Sequence, residues 1–200
     1  MLLNKNHLLV IGEFLRGYEQ KLTGSEIARK KKLNQKSVAN LLNELEDQAM
    51  LRSTAQGRNR LYFLNLDNTE MTRQFLSSAE QLRALQFYGR NPLIREIAAK
   101  LLASCEGIVI VFGSYAKGRE KEGSDIDVFI AGKSPSERIV EEIGKLYNVE
   151  IHVVSYSMQN LREALQKNDR FIGEILTDHL ILKGADQFVQ LVMKEKYGKA

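Results

Sequence analysis

The chain has 200 residues, 44% of them hydrophobic and 27% charged, which is ordinary globular usage and excludes a largely disordered protein. No stretch reaches the roughly 18 consecutive apolar residues that a membrane span needs, so we expect no membrane association. Charges at helical spacing interrupt the first apolar stretch, as in a first helix rather than a signal peptide. Cys105 is the single cysteine, which excludes an intrachain disulfide and fits a cytoplasmic protein.

The net charge of +4 is concentrated in the first half of the chain. Residues 1–90 hold 14 Lys and Arg against 9 Asp and Glu, whereas residues 91–200 hold 15 against 16. This asymmetry indicates that the two halves have different partners, although a basic excess of this size is also compatible with an ordinary soluble surface.

Three helices are predicted at the start of the chain. Apolar residues at helical spacing predict the first over residues 6–20. Thr23 with Glu26 three residues later is a capping box that begins a short second helix. After a turn of about three residues, Asn34 is the expected N-cap of a third helix. Its apolar face is formed by Val38, Leu41, Leu42 and Leu45.

Two short apolar runs follow, on either side of Gln56-Gly57-Arg58-Asn59. Glycine and asparagine tolerate positive φ, so this pattern predicts a β-hairpin. Two capped helices joined by a tight turn and followed by a basic hairpin resemble a winged helix-turn-helix module, and the resemblance covers Leu22–Asn65.

In a helix-turn-helix, the second helix of the motif lies in the DNA major groove. Its outward positions here include Gln35, Lys36 and Asn40, whose side chains can bond base edges. Arg58 and Arg60 of the hairpin are placed for phosphate contacts. These five residues are the predicted DNA-binding residues, and double-stranded DNA is the expected partner. Docking of a protein or dimerisation is the alternative use of such a module.

The remaining pattern predicts three regions. We expect a winged-helix domain over residues 1–66, a linking helix over 67–91 and a second domain over 92–200, with the break at Gly89–Pro92. Within the second domain we expect helices over 92–104 and 135–147 and strands over 107–112, 125–131 and 149–155. A helical part over 157–197 follows, with a short strand near 179–183.

Glycine and serine follow the first of these strands directly. Gly113 allows a tight turn and a close approach to an anionic ligand. The amides at the start of the next helix, together with the Ser114 hydroxyl, can hold phosphate oxygens. Such a junction alone is a weak signal.

Two carboxylates on one face of the next strand strengthen that signal. Asp125 and Asp127 alternate with the apolar residues Ile126 and Val128, so both carboxylates point the same way. Two ionised carboxylates so close together are costly unless a cation lies between them. Mg²⁺ suits such a site, because it is commonly held by carboxylates together with substrate phosphates.

The motif "GSYAKG" at residues 113–118, followed by "SDIDV" at 124–128, resembles the signature of the polymerase β-type nucleotidyltransferases, and is closest to the minimal nucleotidyltransferases. The resemblance covers residues 92–156. It implies an α+β protein in which a mixed sheet with flanking helices follows the winged helix. It also implies that Asp125 and Asp127 ligate Mg²⁺ and that the motif binds a nucleoside triphosphate. The candidate nucleotide-binding residues are Gly113, Ser114, Lys117, Gly118 and Ser124.

The family usually carries a third carboxylate on a later strand. Glu150 is the only carboxylate of the expected strand 149–155, so we assign it as the third metal ligand and catalytic residue. The family more often has aspartate there, which leaves catalytic competence open. His152 shares the face of Glu150, and we expect it to neighbour the site rather than to bind magnesium, which prefers oxygen.

We therefore expect a Mg²⁺-dependent transfer of a nucleoside monophosphate from a nucleoside triphosphate to an acceptor, by a protein that also binds DNA and regulates transcription. One alternative is a regulator that senses a nucleotide without turnover. Another is the antitoxin of a toxin–antitoxin pair, with a small helical protein as partner. A palindromic DNA site would require a homodimer, for which the 67–88 helix is the candidate interface. The acceptor, the base preference and the DNA target stay open.

Overall fold

The computed structural model describes residues 4–67 and 69–198, and it shows the expected α+β architecture. Its N-terminal module is a winged helix-turn-helix. The elements are α1 (Lys5–Ile11), a 3-10 turn (Gly12–Phe14), β1 (Leu22–Thr23), α2 (Gly24–Lys31), α3 (Gln35–Asp47), β2 (Leu51–Gln56) and β3 (Asn59–Leu64). The three strands form an antiparallel sheet in the order β1-β3-β2.

Local hydrogen bonds start the helices of this module where the sequence predicts. The Thr23 hydroxyl accepts from the Glu26 amide at 3.2 Å, and the Glu26 carboxylate accepts from the Thr23 amide at 2.7 Å. Asn34 caps α3 through its side-chain oxygen. In the hairpin, Gln56 pairs with Asn59, and Gly57 adopts a φ of +59°. These reciprocal bonds satisfy backbone donors that would otherwise lack partners.

The first helix is shorter than predicted. The expected helix over 6–20 ends at Phe14, and the chain turns away through Gly17 (φ +71°) and Tyr18 (φ +58°). The turn has a tertiary cause, because the Gly17 amide donates to the Leu176 carbonyl at 2.9 Å instead of continuing the helix. Apolar periodicity alone does not reveal such a contact.

The C-terminal module contains a four-stranded mixed sheet, as predicted. Its elements are α4 (Thr69–Arg90), α5 (Pro92–Leu102), β4 (Glu106–Val111), α6 (Gly113–Lys117), β5 (Ile126–Lys133), α7 (Glu137–Tyr147), β6 (Ile151–Tyr156), α8 (Met158–Gln166), α9 (Arg170–Thr177), β7 (Leu180–Lys183) and α10 (Ala185–Glu195). The strand order is β6-β5-β4-β7. β5 and β6 are parallel, whereas β4 runs antiparallel to both of its neighbours.

Several boundaries differ slightly from the predictions. The long helix α4 continues to Arg90, so the break between helices α4 and α5 falls at Asn91 alone. Asn68, which is predicted to belong to the linking helix, lies outside the described residues. Strands β5 and β6 begin at Ile126 and Ile151, one and two residues later than expected. Asp125 and Glu150 therefore lie just before their strands rather than within them.

The two faces of the four-stranded sheet are covered by different layers. One face, with Val109 and Val128, packs against α5 and α7. The other, with Ile110 and Phe129, packs beneath α8, α9 and α10, and this core continues through α4 into the winged-helix module. The two modules thus share one hydrophobic core. None of the described helices is long and apolar enough to cross a membrane.

A buried polar group lies where the modules meet. Glu80 and His179 are both fully buried, with His179 Nε2 at 2.8 Å from Glu80 Oε1. The Tyr18 hydroxyl donates to the same carboxylate at 2.9 Å, and Arg83 pairs with it at 3.3 Å. Each charge in the group has a partner, as buried charges require.

Candidate functional site

The parallel pairing of β5 and β6 brings the predicted acidic residues to one end of the sheet. Asp127 lies directly opposite His152 in the register of the two strands. One step earlier, the Ile126 amide donates to the Glu150 carbonyl at 2.9 Å. Asp125 and Glu150 are therefore neighbours across the start of the strand pair.

The side chains at this end form a compact cluster, which we call the carboxylate cluster (Asp125, Asp127, Glu150 and His152). His152 Nε2 lies 2.9 Å from Glu150 Oε1, and His152 Nδ1 lies 3.5 Å from Asp127 Oδ1. Ligand atoms of Asp125, Glu150 and His152 all lie within 4.8 Å of one another. The structure thus brings two of the three predicted metal ligands, Asp125 and Glu150, together with His152, and the third, Asp127, adjoins the group through His152.

The charges in the carboxylate cluster do not balance. Three carboxylates face one imidazole, and all are accessible, Asp127 being half-buried and the others exposed. The hydrogen bond to Glu150, supported by the charges of Asp125 and Asp127, raises the pKa of His152. Even with His152 protonated, the cluster carries excess negative charge, which favours binding of a cation.

Gly113 is in direct contact with the carboxylate cluster. It adopts a φ of +68°, and a Cβ placed there would lie 2.0 Å from Asp127 Oδ2. The amide of the preceding Phe112 donates to the Asp127 carbonyl at 3.0 Å. Glycine is therefore required here for both its conformation and its size, and it sets the start of α6 against the Asp127 carboxylate.

The other candidate nucleotide-binding residues lie along α6 and in the loop before Asp125. Ser114 is half-buried in the first turn of α6. Lys117 and Gly118 lie at the other end of this short helix, where Gly118 (φ +62°) terminates it. The Ser124 hydroxyl accepts from the Lys121 amide at 2.8 Å and so closes the loop that leads to Asp125.

The donor chemistry of the carboxylate cluster fits a divalent cation. Carboxylate oxygens from Asp125, Asp127 and Glu150 are the ligands that Mg²⁺ prefers. The imidazole of His152 adds a nitrogen, which suits Mn²⁺ or Zn²⁺ better than Mg²⁺. Sequence reasoning placed His152 beside the site but missed its position opposite Asp127, because that follows from the register between two strands.

The predicted DNA-binding residues of α3 share one solvent-exposed face. Gln35, Lys36 and Asn40 are exposed, whereas Val38 between them is buried in the module's core. Arg58 is exposed at the tip of the hairpin. These four side chains are accessible to a ligand.

Arg60 is engaged within the module. Its guanidinium pairs with Glu46 of α3, and its Nε donates to the Ser53 hydroxyl at 2.7 Å. The group also lies over the Tyr62 ring, 5.1 Å from the centroid. The Glu46 partner raises the pKa of Arg60 further above its usual value. Arg60 thus ties the hairpin to α3, a contact that sequence alone did not indicate.

Comparison with known proteins agrees with both modules. The family model described as "Nucleotidyltransferase domain" matches residues 93–196, just over half of the chain, and the one described as "Penicillinase repressor" matches residues 21–103. No curated protein gives a significant match. A solved structure titled "Crystal structure of the toxin-antitoxin with AMP-PNP" is similar at 17% identity and a TM-score of 0.36, covering 54% of this chain and 86% of that one. On the family matches, the chain belongs to the nucleotidyltransferase domain family and carries a repressor-like winged helix-turn-helix in front of that domain.

Proposed function

We propose that the C-terminal module transfers a nucleoside monophosphate from a nucleoside triphosphate to an acceptor hydroxyl, with Mg²⁺ held by Asp125, Asp127 and Glu150. We further propose that the N-terminal module binds double-stranded DNA, so that the protein acts as a DNA-binding regulator with a nucleotidyltransferase domain. Membership of the nucleotidyltransferase domain family supports the first part, and the repressor-like module supports the second.

The carboxylate cluster is the observation that carries the proposal. It holds excess negative charge at an accessible edge of the sheet, beside Gly113, which packs directly against the Asp127 carboxylate. A cation is needed to offset that charge, and a triphosphate supplies the further oxygen ligands that Mg²⁺ uses in nucleotide sites. If this sheet served only to form a hydrophobic core, an accessible group of unbalanced carboxylates at its edge would not stabilise the protein.

The residues around the cluster have separable roles. Bound Mg²⁺ would neutralise charge that develops on the attacking and leaving oxygens of a phosphoryl group. Asp125 and Asp127 would hold the cation near α6, and the Gly113 and Ser114 amides would donate to phosphate oxygens. Glu150 completes the oxygen donors from the neighbouring strand. His152 offsets part of the negative charge and orients Glu150 through their hydrogen bond.

Transfer can be tested with labelled nucleoside triphosphates, Mg²⁺ and a panel of acceptors that includes protein, RNA, DNA and small hydroxyl compounds. The wild type should form a labelled product and release pyrophosphate. Asp127→Ala should lower the rate by about two to three orders of magnitude. Asp47→Ala, which removes an exposed aspartate at the end of α3, is the matched control. Equal product from wild type and Asp127→Ala would exclude this site as the origin of the activity.

The position of His152 favours one second candidate function. The residue opposite Asp127 in the parallel register is His152. Its imidazole occupies the position from which an oxygen ligand would complete the metal site most directly. A regulator that senses a nucleotide without turnover follows from that observation. It requires that the wild type binds a nucleoside triphosphate, forms no pyrophosphate, and changes its DNA affinity when the nucleotide is bound.

DNA binding can be tested by fluorescence anisotropy over a series of salt concentrations. Affinity should fall steeply with salt, because phosphate contacts release counterions. Arg58→Ala should weaken binding uniformly across sequences and reduce the salt slope by about 1. Arg162→Ala, an exposed arginine of α8 outside the module, should change neither. Affinity that is absent, or that does not depend on salt, would remove this part of the proposal.

A further inference from the structure

A second concave site lies between the two modules. This intermodule cleft has a volume of about 410 Å³, within the range of small-molecule sites. Its walls come from the segment after α1, the end of α2, the C-terminal half of α4 and the C-terminal end of α6. The lining includes Arg16, Lys31, Arg83, Gln86, Phe87, Arg90, Asn91, Tyr115, Lys117 and Glu120.

The intermodule cleft differs from the carboxylate cluster in position and in charge. None of Gly113, Ser114, Asp125, Asp127 and Glu150 lines it. Five basic side chains line the cleft against three acidic ones, the reverse of the balance at the cluster. The cleft therefore favours an anion, whereas the cluster favours a cation.

Most of the opposite charges in the cleft are already paired. Lys31 bonds Glu13 at 2.8 Å, and Arg16 bonds Asp178 at 2.7 Å. Arg83 is held by the buried Glu80 and by the His179 carbonyl.

Two basic groups are left over. Arg90 is exposed and donates through Nε to the Gln86 carbonyl, and Lys117 is exposed at the end of α6. Within residues 4–67 and 69–198, neither forms an ion pair. An arginine and a lysine that line one cleft and form no ion pair there are candidate contacts for phosphate oxygens.

The uncharged lining adds features that inorganic phosphate would not use. The Phe87 and Tyr115 rings contact each other edge to face, with centroids 6.4 Å apart, and offer an aromatic wall. Glu120 Oε2 is buried and lacks a hydrogen-bond partner among the described residues. A buried carboxylate oxygen without a donor is costly, and a shift of the Glu120 side chain toward the cleft would let a hydroxyl or amino group of a ligand satisfy it. Phosphates, a planar ring and polar donors occur together in a nucleotide.

We propose that the intermodule cleft binds a free nucleoside phosphate, whose phosphate contacts Arg90 and Lys117 and whose ring lies against Phe87 and Tyr115. The cleft shares Lys117 and Gly118 with the candidate nucleotide-binding residues of the transfer site, but it lies at the opposite end of α6 from Gly113 and the carboxylate cluster. The occupant contacts the winged-helix module, α4 and the end of α6 together. Binding therefore stabilises this arrangement of the two modules and links nucleotide concentration to the DNA-binding half of the protein.

The test isolates the cleft from the carboxylate cluster. Isothermal titration with AMP and with ATP is performed in EDTA on the full chain carrying Asp125→Ala and Asp127→Ala, which removes metal-dependent binding at the cluster. We expect one remaining site that binds both nucleotides and that binds adenosine at least tenfold more weakly. Transfer activity is not measured in this experiment, so failure of the proposed transfer leaves its outcome unaffected.

Charge reversal then locates the remaining site. In the same background, Arg90→Glu should weaken AMP binding at least tenfold, and Arg162→Glu, on α8, which contributes no residue to the cleft, should leave it unchanged. Gln86→Glu is a second variant that places a negative charge in the cleft. Circular dichroism and the unfolding midpoint establish that each variant is folded.

Three outcomes would overturn the proposal. They are the absence of nucleotide binding in EDTA, binding that both folded charge variants retain in full, and binding of a single-stranded oligonucleotide but of neither AMP nor ATP. The last outcome would identify the cleft as a nucleic-acid groove instead.

Discussion

The molecule contains two histidine–carboxylate pairs of nearly the same length in opposite surroundings. His179 and Glu80 are 2.8 Å apart and fully buried where the modules meet. His152 and Glu150 are 2.9 Å apart, with side chains that are 50% and 67% exposed. The distance between the partners therefore does not distinguish a structural pair from a functional one.

Charge balance does distinguish the two pairs. His179 Nδ1 faces the carbonyls of Ile175 and Leu176 while Nε2 faces Glu80, so both ring nitrogens have hydrogen-bond partners. Burial raises the pKa of Glu80, but the charges of His179 and Arg83 outweigh burial and hold that pKa below its ordinary value. Each group is satisfied, so the pair can bind nothing further.

The carboxylate cluster has the opposite property. It has more carboxylates than cations and is accessible to solvent, so it has room for a ligand from outside the chain. We expect the closed, buried pair to stabilise the fold and the open, unbalanced cluster to serve as the proposed binding site. The following predictions test this contrast, from the largest expected effect to the smallest.

Removing the carboxylate of the buried pair should have the largest effect. Glu80→Ala leaves the buried His179 ring and the partly buried Arg83 guanidinium without their carboxylate partner, which we expect to lower the free energy of unfolding by about 3–5 kcal/mol. Glu150→Ala, the matched change in the exposed pair, should stay within about 0.5 kcal/mol of the wild type. Urea unfolding measures both variants, and equal losses would contradict the contrast.

Gly113→Ala should damage the open cluster without touching the buried pair. The added methyl group meets Asp127 Oδ2 at 2.0 Å and displaces the carboxylate, which we expect to lower the transfer rate about 100-fold. Gly57→Ala is the control, because Gly57 also has a positive φ but has no neighbouring atom within 4 Å of the added group. A transfer rate unchanged in Gly113→Ala would show that the position of Asp127 is unimportant.

Acid should weaken the buried pair. Because the folded-state pKa of Glu80 lies below its ordinary value of 4.5, its stabilisation is complete above that pH and declines as the pH falls toward the folded-state pKa. The slope for one such group is at most about 1.4 kcal/mol per pH unit. The stability gap between wild type and Glu80→Gln should therefore narrow below pH 4.5. A gap that stays constant in unfolding curves between pH 6 and pH 3 would argue against an ionised Glu80.

The smallest effect is expected from relieving repulsion in the open cluster. Without metal, Asp125→Asn removes one of the like charges and should raise the melting temperature by about 1 °C. Mg²⁺ should stabilise the wild type and should stabilise Asp125→Asn less. Asp47→Asn serves as the control for a surface aspartate outside the cluster. A melting temperature lowered by Asp125→Asn in EDTA would mean that the charges are already balanced.

Features that depend on a few neighbouring residues could be predicted from the sequence. Thr23 and Glu26 predict a helix start because their reciprocal hydrogen bonds span only three residues. The alternation of Asp127 with Ile126 and Val128 predicts the two faces of a strand. The winged helix, the mixed sheet and the family of the second module follow from such local signals. The family matches confirm these predictions.

Features that depend on distant segments could not be predicted. The position of His152 opposite Asp127 requires the parallel register of β5 and β6. Glu80 and His179 are 99 residues apart in the sequence, and neither lies in a motif. The early end of the first helix depends on the contact of Gly17 with Leu176. In each case the deciding partner lies on another element.

The contact between the last helix and the first segment has a consequence for how the protein unfolds. The Tyr197 hydroxyl donates to the Gly17 carbonyl at 2.5 Å, while α10 packs on α4 and α4 packs on α1. These contacts connect the Gly17 and Tyr197 segments across both modules, so we expect that neither module unfolds while the other keeps its core. Heat should unfold the chain in one cooperative transition, so the proposed DNA binding and the proposed nucleotidyl transfer should be lost at the same temperature.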